Sequence, residues 1–188
     1  MTPLISVIMP TRGPLEGLIK ALKSIRDTCS DNSKVEILLR IDDDDSRRII
    51  DIPDLKAGYG VKTVIGPRGA GYMDMGRFAD DLLDIAQGKW AWLFDDDSWV
   101  IGNTWLEQME RMPMDCAANA QFYQLGPSIY NNGPEGGPVG LFVPMELAKS
   151  IKPTPSPVDQ TWLDVVLKRG WKVRQLQGIT YCHDGRPR

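Results

Sequence analysis

Three consecutive carboxylates, Asp95-Asp96-Asp97, stand directly behind the apolar run Trp90-Ala91-Trp92-Leu93-Phe94. That run is short, rich in aromatics and preceded by the breaker pair Gly88-Lys89, which is the pattern of a buried strand. Carboxylates crowded at a strand's end repel one another and resist losing water. A hard divalent cation, Mg²⁺ or Mn²⁺, relieves both costs; the alternative is a solvated acidic turn. A second acidic cluster, Asp42-Asp43-Asp44-Asp45, closes the apolar stretch Val35 to Ile41. Asp42 could accept hydrogen bonds from a nucleobase or ribose, leaving the Asp95 group to a metal and a diphosphate. Asp44 and Asp45 suit the cap of a following helix. A third candidate is Pro10-Thr11-Arg12-Gly13, which could offer a hydroxyl, a guanidinium and backbone amides to a nucleotide. It is not a P-loop, because no Gly-Lys-Ser/Thr follows, nor does it carry the paired glycines of a dinucleotide fingerprint. An ordinary strand-to-helix turn is its alternative.

The elements that must hold these groups follow from periodicity. Leu4 to Met9 predicts a first strand, and Leu15, Leu18, Ile19, Leu22 and Ile25 predict a helix with Pro14 in its first turn. Val35 to Ile41 and Val61 to Ile65 predict two more strands. Met75, Phe78, Ala79, Leu82, Leu83 and Ala86 mark one face of a second helix, stopped by Gly88. Such alternation predicts an α/β domain with a mostly parallel central sheet flanked by helices, whose ligands bind at the carboxyl ends of the strands. After Gly102 the pattern predicts a helix over Trp105 to Met112, and strands over Ala117 to Leu125 and Val139 to Val143. Between those strands lies a Gly/Pro/Asn-rich loop, Gly126 to Pro138, of a length that usually serves function. Pro153 to Pro157 predicts a stiff connector and Val158 to Arg169 a last helix. A short strand over Val173 to Leu176 and a tail from Gly178 complete the chain.

Bulk properties bound the function classes. The chain has 188 residues, 42% hydrophobic and 25% charged, which suits one soluble domain. A net charge of −3 gives no general attraction to nucleic acid or anionic membrane, and no nucleic-acid partner is expected. No stretch is long enough to span a bilayer and no signal-peptide pattern opens the chain, so the expectation is a cytoplasmic protein. Cys29, Cys116 and Cys182 are too widely spaced for a zinc pattern, and reduced thiols are expected.

Together these segments resemble the family 2 nucleotide-sugar glycosyltransferases of GT-A fold. Ile5-Ser6-Val7-Ile8-Met9-Pro10-Thr11-Arg12 is similar to that family's opening strand, and Ile41-Asp42-Asp43-Asp44-Asp45-Ser46 to its second-strand aspartate segment. Ala86 through Asp97 resembles its helix end, glycine, strand and Asp-x-Asp motif. The resemblance implies a single GT-A domain with a Rossmann-like sheet, residues 1–100 forming the nucleotide-binding half and 101–188 the acceptor side and tail. It implies that Pro10, Thr11, Arg12 and Asp42 meet the nucleoside, usually uridine. Asp95 and Asp97 would form the Asp-x-Asp pair for Mn²⁺ or Mg²⁺, and Asp96 would face the ribose or sugar. The donor implied is a UDP-sugar; the acceptor is a glycan, lipid or small molecule.

Further positions follow from the resemblance. Asp159, at the start of the last predicted helix, matches the motif that supplies the catalytic base of inverting members, although Val158 replaces the usual Glu before it. The alternative for Asp159 is a helix N-cap. His183 is the only histidine. In several relatives a histidine after the final strand completes the metal site, and neutral imidazole suits Mn²⁺ beside carboxylates. Arg186 would then approach the diphosphate. Gly136-Gly137-Pro138-Val139-Gly140 resembles an acceptor-side segment, and Trp99, Trp105, Tyr123 and Tyr130 are candidate sugar platforms. Asp80 stands where the family often has asparagine. Two other readings compete: a phosphohydrolase using Asp95 and Asp97, and a non-catalytic module that binds nucleotide or metal.

Overall fold

The computed structural model describes residues 2–124 and 140–183. They form β1 (Ile5–Thr11), α1 (Leu15–Thr28), β2 (Val35–Asp42), α2 (Ser46–Tyr59), β3 (Val61–Gly66), α3 (Met75–Ile85), β4 (Trp90–Leu93) and β5 (Ser98–Ile101). The chain continues through α4 (Trp105–Glu110), β6 (Cys116–Gln124), β7 (Phe142–Pro144), α5 (Met145–Ser150), α6 (Val158–Lys168) and β8 (Lys172–His183). One eight-stranded sheet runs β3-β2-β1-β4-β7-β6-β8-β5. The first four strands in that order are parallel. β7 is antiparallel to both β4 and β6, β8 is parallel to β6, and β5 is antiparallel to β8.

Alternation along the strands divides the core between two faces. Ile5, Val7 and Met9 of β1 pack with Leu18, Leu22 and Ile25 of α1 and with Ile52 and Leu55 of α2. Ile8 points the other way, toward Leu82 and Leu83 of α3 and Trp162 and Val166 of α6. Trp92 anchors the middle of the first face, stacked on Phe142 at 4.3 Å and tilted against Trp105 at 5.1 Å. Helices on both faces are the architecture expected of a sheet that buries both sides.

A buried carboxylate fixes β4, and with it the aspartate triplet. Glu36 of β2 accepts hydrogen bonds from Ser6 Oγ and Gln87 N, both at 2.6 Å, from Gly88 N at 3.2 Å and from Lys62 at 2.7 Å. The turn into β4 is therefore tied to β1, β2 and β3 at once.

Several elements differ from the sequence expectation. The strand predicted to end at Leu176 runs on to His183, through Gly178, so the expected tail is sheet as far as His183. β5 follows the triplet at once and pairs Ser98 with His183. α2 carries Pro53 and a mixed surface, so its weak periodicity hides it in the sequence. α5 was not anticipated either; it is a six-residue helix starting behind Pro144. Cys29, Cys116 and Cys182 are free and buried. No helix among the described residues is long and apolar enough to cross a membrane.

Candidate active site

Because β1, β2 and β4 are parallel, Thr11, Asp42 and the segment Asp95 to Asp97 all emerge at the same sheet edge. Each then takes a different task. Asp96 is 2% exposed and turns back under the first strand. Its Oδ2 accepts from Thr11 Oγ1 at 2.8 Å and from the backbone N–H groups of Arg12 at 3.1 Å and Gly13 at 2.9 Å. This carboxylate shapes the turn after β1. Its Oδ2 is thus given over to the turn's donors, a structural task that the expectation of a ribose- or sugar-facing Asp96 did not include. Thr11 is likewise buried and donates to Asp96, while Pro10 is half-buried beside it.

Asp42 sits between two guanidinium groups. Arg40 donates to its Oδ1 at 2.6 Å and Arg12 to its Oδ2 at 2.5 Å. Arg40 is buried and also reaches Asp81 at 3.1 Å and the carbonyl of Pro67. Arg12 is more exposed and bridges to Asp44 at 2.8 Å; the hydrogen bonds it donates to Asp44 and then Asp42 hold its proton more tightly than usual. The same contact, led by Arg12, lowers the Asp44 carboxyl. Asp44 thus belongs to an exposed ion network with Arg12 and Arg68, whereas Asp45 caps α2 through Arg48 N at 3.2 Å. Of the two expected capping residues, only Asp45 caps.

Asp95 is oriented from below by Tyr181 of β8. The phenol accepts from Asp95 N–H and donates to Asp95 Oδ2, both at 3.1 Å. Complete burial, followed by the Asp95 charge, raises the Tyr181 hydroxyl well above its ordinary range, so it stays a donor. Gly140, at φ +66°, lies against the same ring; a Cβ there would sit 2.8 Å from Tyr181 Cδ2. Both the left-handed backbone and the ring contact call for glycine. Tyr181 was not singled out in the sequence. Its one signal is the inward alternation of Ile179 and Tyr181 along a strand that Gly178 disguises.

Asp97 and His183 meet across the β5–β8 pair, with Nε2 3.2 Å from Oδ1. Their spacing of 86 residues in sequence is closed by the ladder that sets Ser98 opposite His183. A carboxylate beside an imidazole is a fitting donor set for Mn²⁺ or Mg²⁺. Asp95 is expected as a further ligand, but among the described residues no three His, Cys, Asp or Glu side chains converge closely enough to hold an ion.

Asp159 lies in the first turn of α6, behind Pro157, which occupies the cap position. Its Oδ1 accepts from the adjacent Gln160 N–H at 2.8 Å, and with Pro157 at the cap position it is not the N-cap the alternative reading required. Burial raises the Asp159 carboxyl, against the smaller pull of the Gln160 and Asp159 amides. It shares a cavity of about 50 Å³ with Asp95, Tyr72, Met75, Leu93, Gly140 and Val158. Whole-ligand pockets are several times larger than that volume. A wider, open cavity of about 330 Å³ lies where α1 ends and α4 begins, and none of the expected site residues lines it.

The remaining candidates scatter. Trp105 is fully buried in the core, Trp99 sits under Lys20 Nζ at 3.0 Å, and Tyr123 is exposed on β6. Tyr130, the glycine segment before Gly140, and Arg186 lie outside the described residues.

No family model and no curated protein matches the sequence. Solved structures do match in shape. Residues 1–349 of S. aureus TarS in complex with UDP superpose with a TM-score of 0.78 at 14% identity, over 98% of this chain and 61% of that one. The same fragment with UDP-GlcNAc gives 0.75 at 14% identity, over 98% and 59%. The mannosyltransferase PcManGT from Pyrobaculum calidifontis, in complex with GDP-Man and Mn²⁺, gives 0.76 at 14% identity, over 100% of this chain and 59% of that one. The chain therefore spans about three-fifths of these solved chains, and what it shares with them is the GT-A fold of nucleotide-sugar glycosyltransferases.

Proposed function

We propose that this chain transfers a sugar from a nucleoside diphosphate, UDP-linked by first choice, to an acceptor hydroxyl, with inversion at the anomeric carbon. One observation carries the reading: Asp159 and Asp95 line the same small cavity, at the strand edge where Asp97 meets His183. A carboxylate whose affinity for a proton is raised by burial is a better base than an exposed aspartate. In this reading Asp159 takes the proton of the acceptor hydroxyl as its oxygen attacks the anomeric carbon. The bond from that carbon to the diphosphate breaks, and the electron pair leaves with the nucleotide. Asp97 and His183 would hold Mn²⁺ or Mg²⁺, with Asp95 as a further candidate ligand. When bound, such an ion supplies Lewis-acid stabilisation to the departing diphosphate. Arg12, Asp42 and the turn held by Asp96 would seat the nucleoside, so residues 1–100 serve the donor and 101–188 the acceptor side.

UDP is favoured because two neighbours are complexes with UDP and UDP-GlcNAc; GDP-Man in the third keeps guanosine in the test. The experiment is a melting-temperature screen against UDP-GlcNAc, UDP-glucose and GDP-mannose, each with and without Mn²⁺. Binding to the folded state raises the midpoint by mass action. One donor should stabilise the protein only when Mn²⁺ is present, and Asp97→Ala and His183→Ala should each remove that increment. Absence of any Mn²⁺-dependent shift across the panel would refute the proposal.

A further inference from the structure

The connector Lys152-Pro153-Thr154-Pro155-Ser156-Pro157 alternates proline with a polar residue. Its polar residues make a series of contacts with α3. Lys152 Nζ pairs with Asp84, Thr154 with Asp80, and Ser156 Oγ accepts from Gly76 N at 2.9 Å. The helix partners are four residues apart and the connector partners two apart, running in opposite directions. Each rung therefore climbs about one turn of α3, since four helical residues rise about 6 Å. Burial follows the same alternation: Thr154 is buried, while Pro153 and Pro155 are exposed.

The middle rung is the strongest. Thr154 N donates to one oxygen of Asp80 at 3.0 Å and Thr154 Oγ1 to the other at 2.6 Å. The carboxylate accepts both donors, each bond strengthened by its charge; an asparagine would keep two contacts only with the hydroxyl turned to accept from its amide, and without that charge. Gly76 lets the backbones touch: a Cβ on it would lie 1.8 Å from the carbonyl oxygen of Thr154.

We propose that Asp80, through Thr154, is a positioning residue that docks the connector on α3 and so delivers Asp159 to the cavity it shares with Asp95. Asp159 lies five positions after Thr154, and α6 begins at Val158, so the connector sets where that helix starts. The inference rests on the proposed role of Asp159. Asp159 shares its cavity with two other titratable groups, Tyr72 and Asp95. α3 contributes Asp80 and Asp84, the connector Lys152, and α6 itself Asp164. β8, which also packs on α6, carries Lys172, Arg174 and His183.

The test uses the full chain and three variants, Thr154→Val, Thr154→Ser and Asp80→Asn. Turnover is read as nucleoside diphosphate released from whichever of UDP-GlcNAc, UDP-glucose and GDP-mannose shifts melting most. Thr154→Val and Asp80→Asn should lower kcat about tenfold, the scale of one lost hydrogen bond near the chemistry, with donor KM unchanged. Thr154→Ser keeps both donors and should restore wild-type kcat. Independently of any ligand, carbon-detected NMR of aspartate-labelled protein should find the Asp159 carboxyl titrating lower in Thr154→Val, because a loosened connector lets water in. Unchanged kcat and unchanged Asp159 titration in Thr154→Val would overturn the inference, and so would failure of Thr154→Ser to restore kcat. If Asp80→Asn does not fold, the two Thr154 variants decide. Asp159→Asn separates the levels: full turnover in it sinks the base assignment, whereas the NMR comparison still judges the docking.

Discussion

Replacing Tyr181 by phenylalanine removes one oxygen and leaves a ring of the same shape between Phe94, at 4.9 Å, and Phe122, at 6.5 Å. Two interactions go with that oxygen. A hydrogen bond donated to a carboxylate contributes about 1.5–3 kcal/mol, and a backbone N–H left without an acceptor costs about 1–3 kcal/mol if it stays dry. The Asp95 contacts are only partly buried, so water recovers some of this and the net loss is about 2–3 kcal/mol. In a chain of this size each kcal/mol moves the midpoint by about 2–4 °C, so Tyr181→Phe should melt about 4–12 °C lower. Differential scanning calorimetry at neutral pH reads the shift. The pH dependence gives a second check. The Tyr181 hydroxyl is raised in the folded state, so its contribution is complete below the ordinary tyrosine value of about 10 and fades as pH climbs through the folded value. The gap between wild type and variant should therefore narrow in strong alkali. A melting point unchanged from wild type at neutral pH would refute the assignment of Tyr181 as the support of Asp95.

Asp159→Asn should abolish turnover while leaving the donor-induced melting shift intact. It should also raise the midpoint at neutral pH. A carboxyl raised by burial stabilises the fold only while protonated, below its unfolded value, and that contribution is lost as pH rises through the folded value. Melting curves at pH 7 and below the unfolded carboxyl value test this, the gain vanishing in acid. Glu36→Ala leaves Ser6 Oγ and Gln87 N short of an acceptor, while Gly88 N keeps Ser6 Oγ at 2.8 Å, and should cost about 3 kcal/mol, or about 6–12 °C. Burial opposes the Glu36 charge, but hydrogen bonds from Lys62, Ser6 and Gln87 outweigh it and lower the carboxyl. Wild-type stability from this group should then be present above the unfolded glutamate value and fall as acid protonates it, a dependence the alanine variant lacks.

The parallel half of the sheet was legible because its apolar runs are dense and its helices carry one clean stripe; Ile5 to Thr11 and Met75 to Ile85 are examples. β5 was not. It is four residues long and begins inside what reads as an acidic turn. β8 was cut short at Leu176 because Gly178 and the flanking glutamines imitate a loop. Among site residues, Asp97 and His183 were readable as types, but their meeting depends on the β5–β8 pair that was missed. The structural task of Asp96 was not legible because a carboxylate that accepts from backbone amides looks, in sequence, the same as one that faces a ligand. Asp80 and Thr154 are 74 residues apart, and no local pattern announces a bond between them.

His183 is the last described residue of β8, and its ring reaches Asp97 only because the ladder seats it opposite Ser98. Neighbouring side chains on a strand point to opposite faces, so sliding β8 by one position turns every side chain over. Deleting a single residue between Thr180 and His183 would thus carry the imidazole away from Asp97 while both residues remain in the chain. Genetic screens that score only substitutions would pass over this lesion, and the strand's length matters to the Asp97–His183 contact as much as the ring it carries.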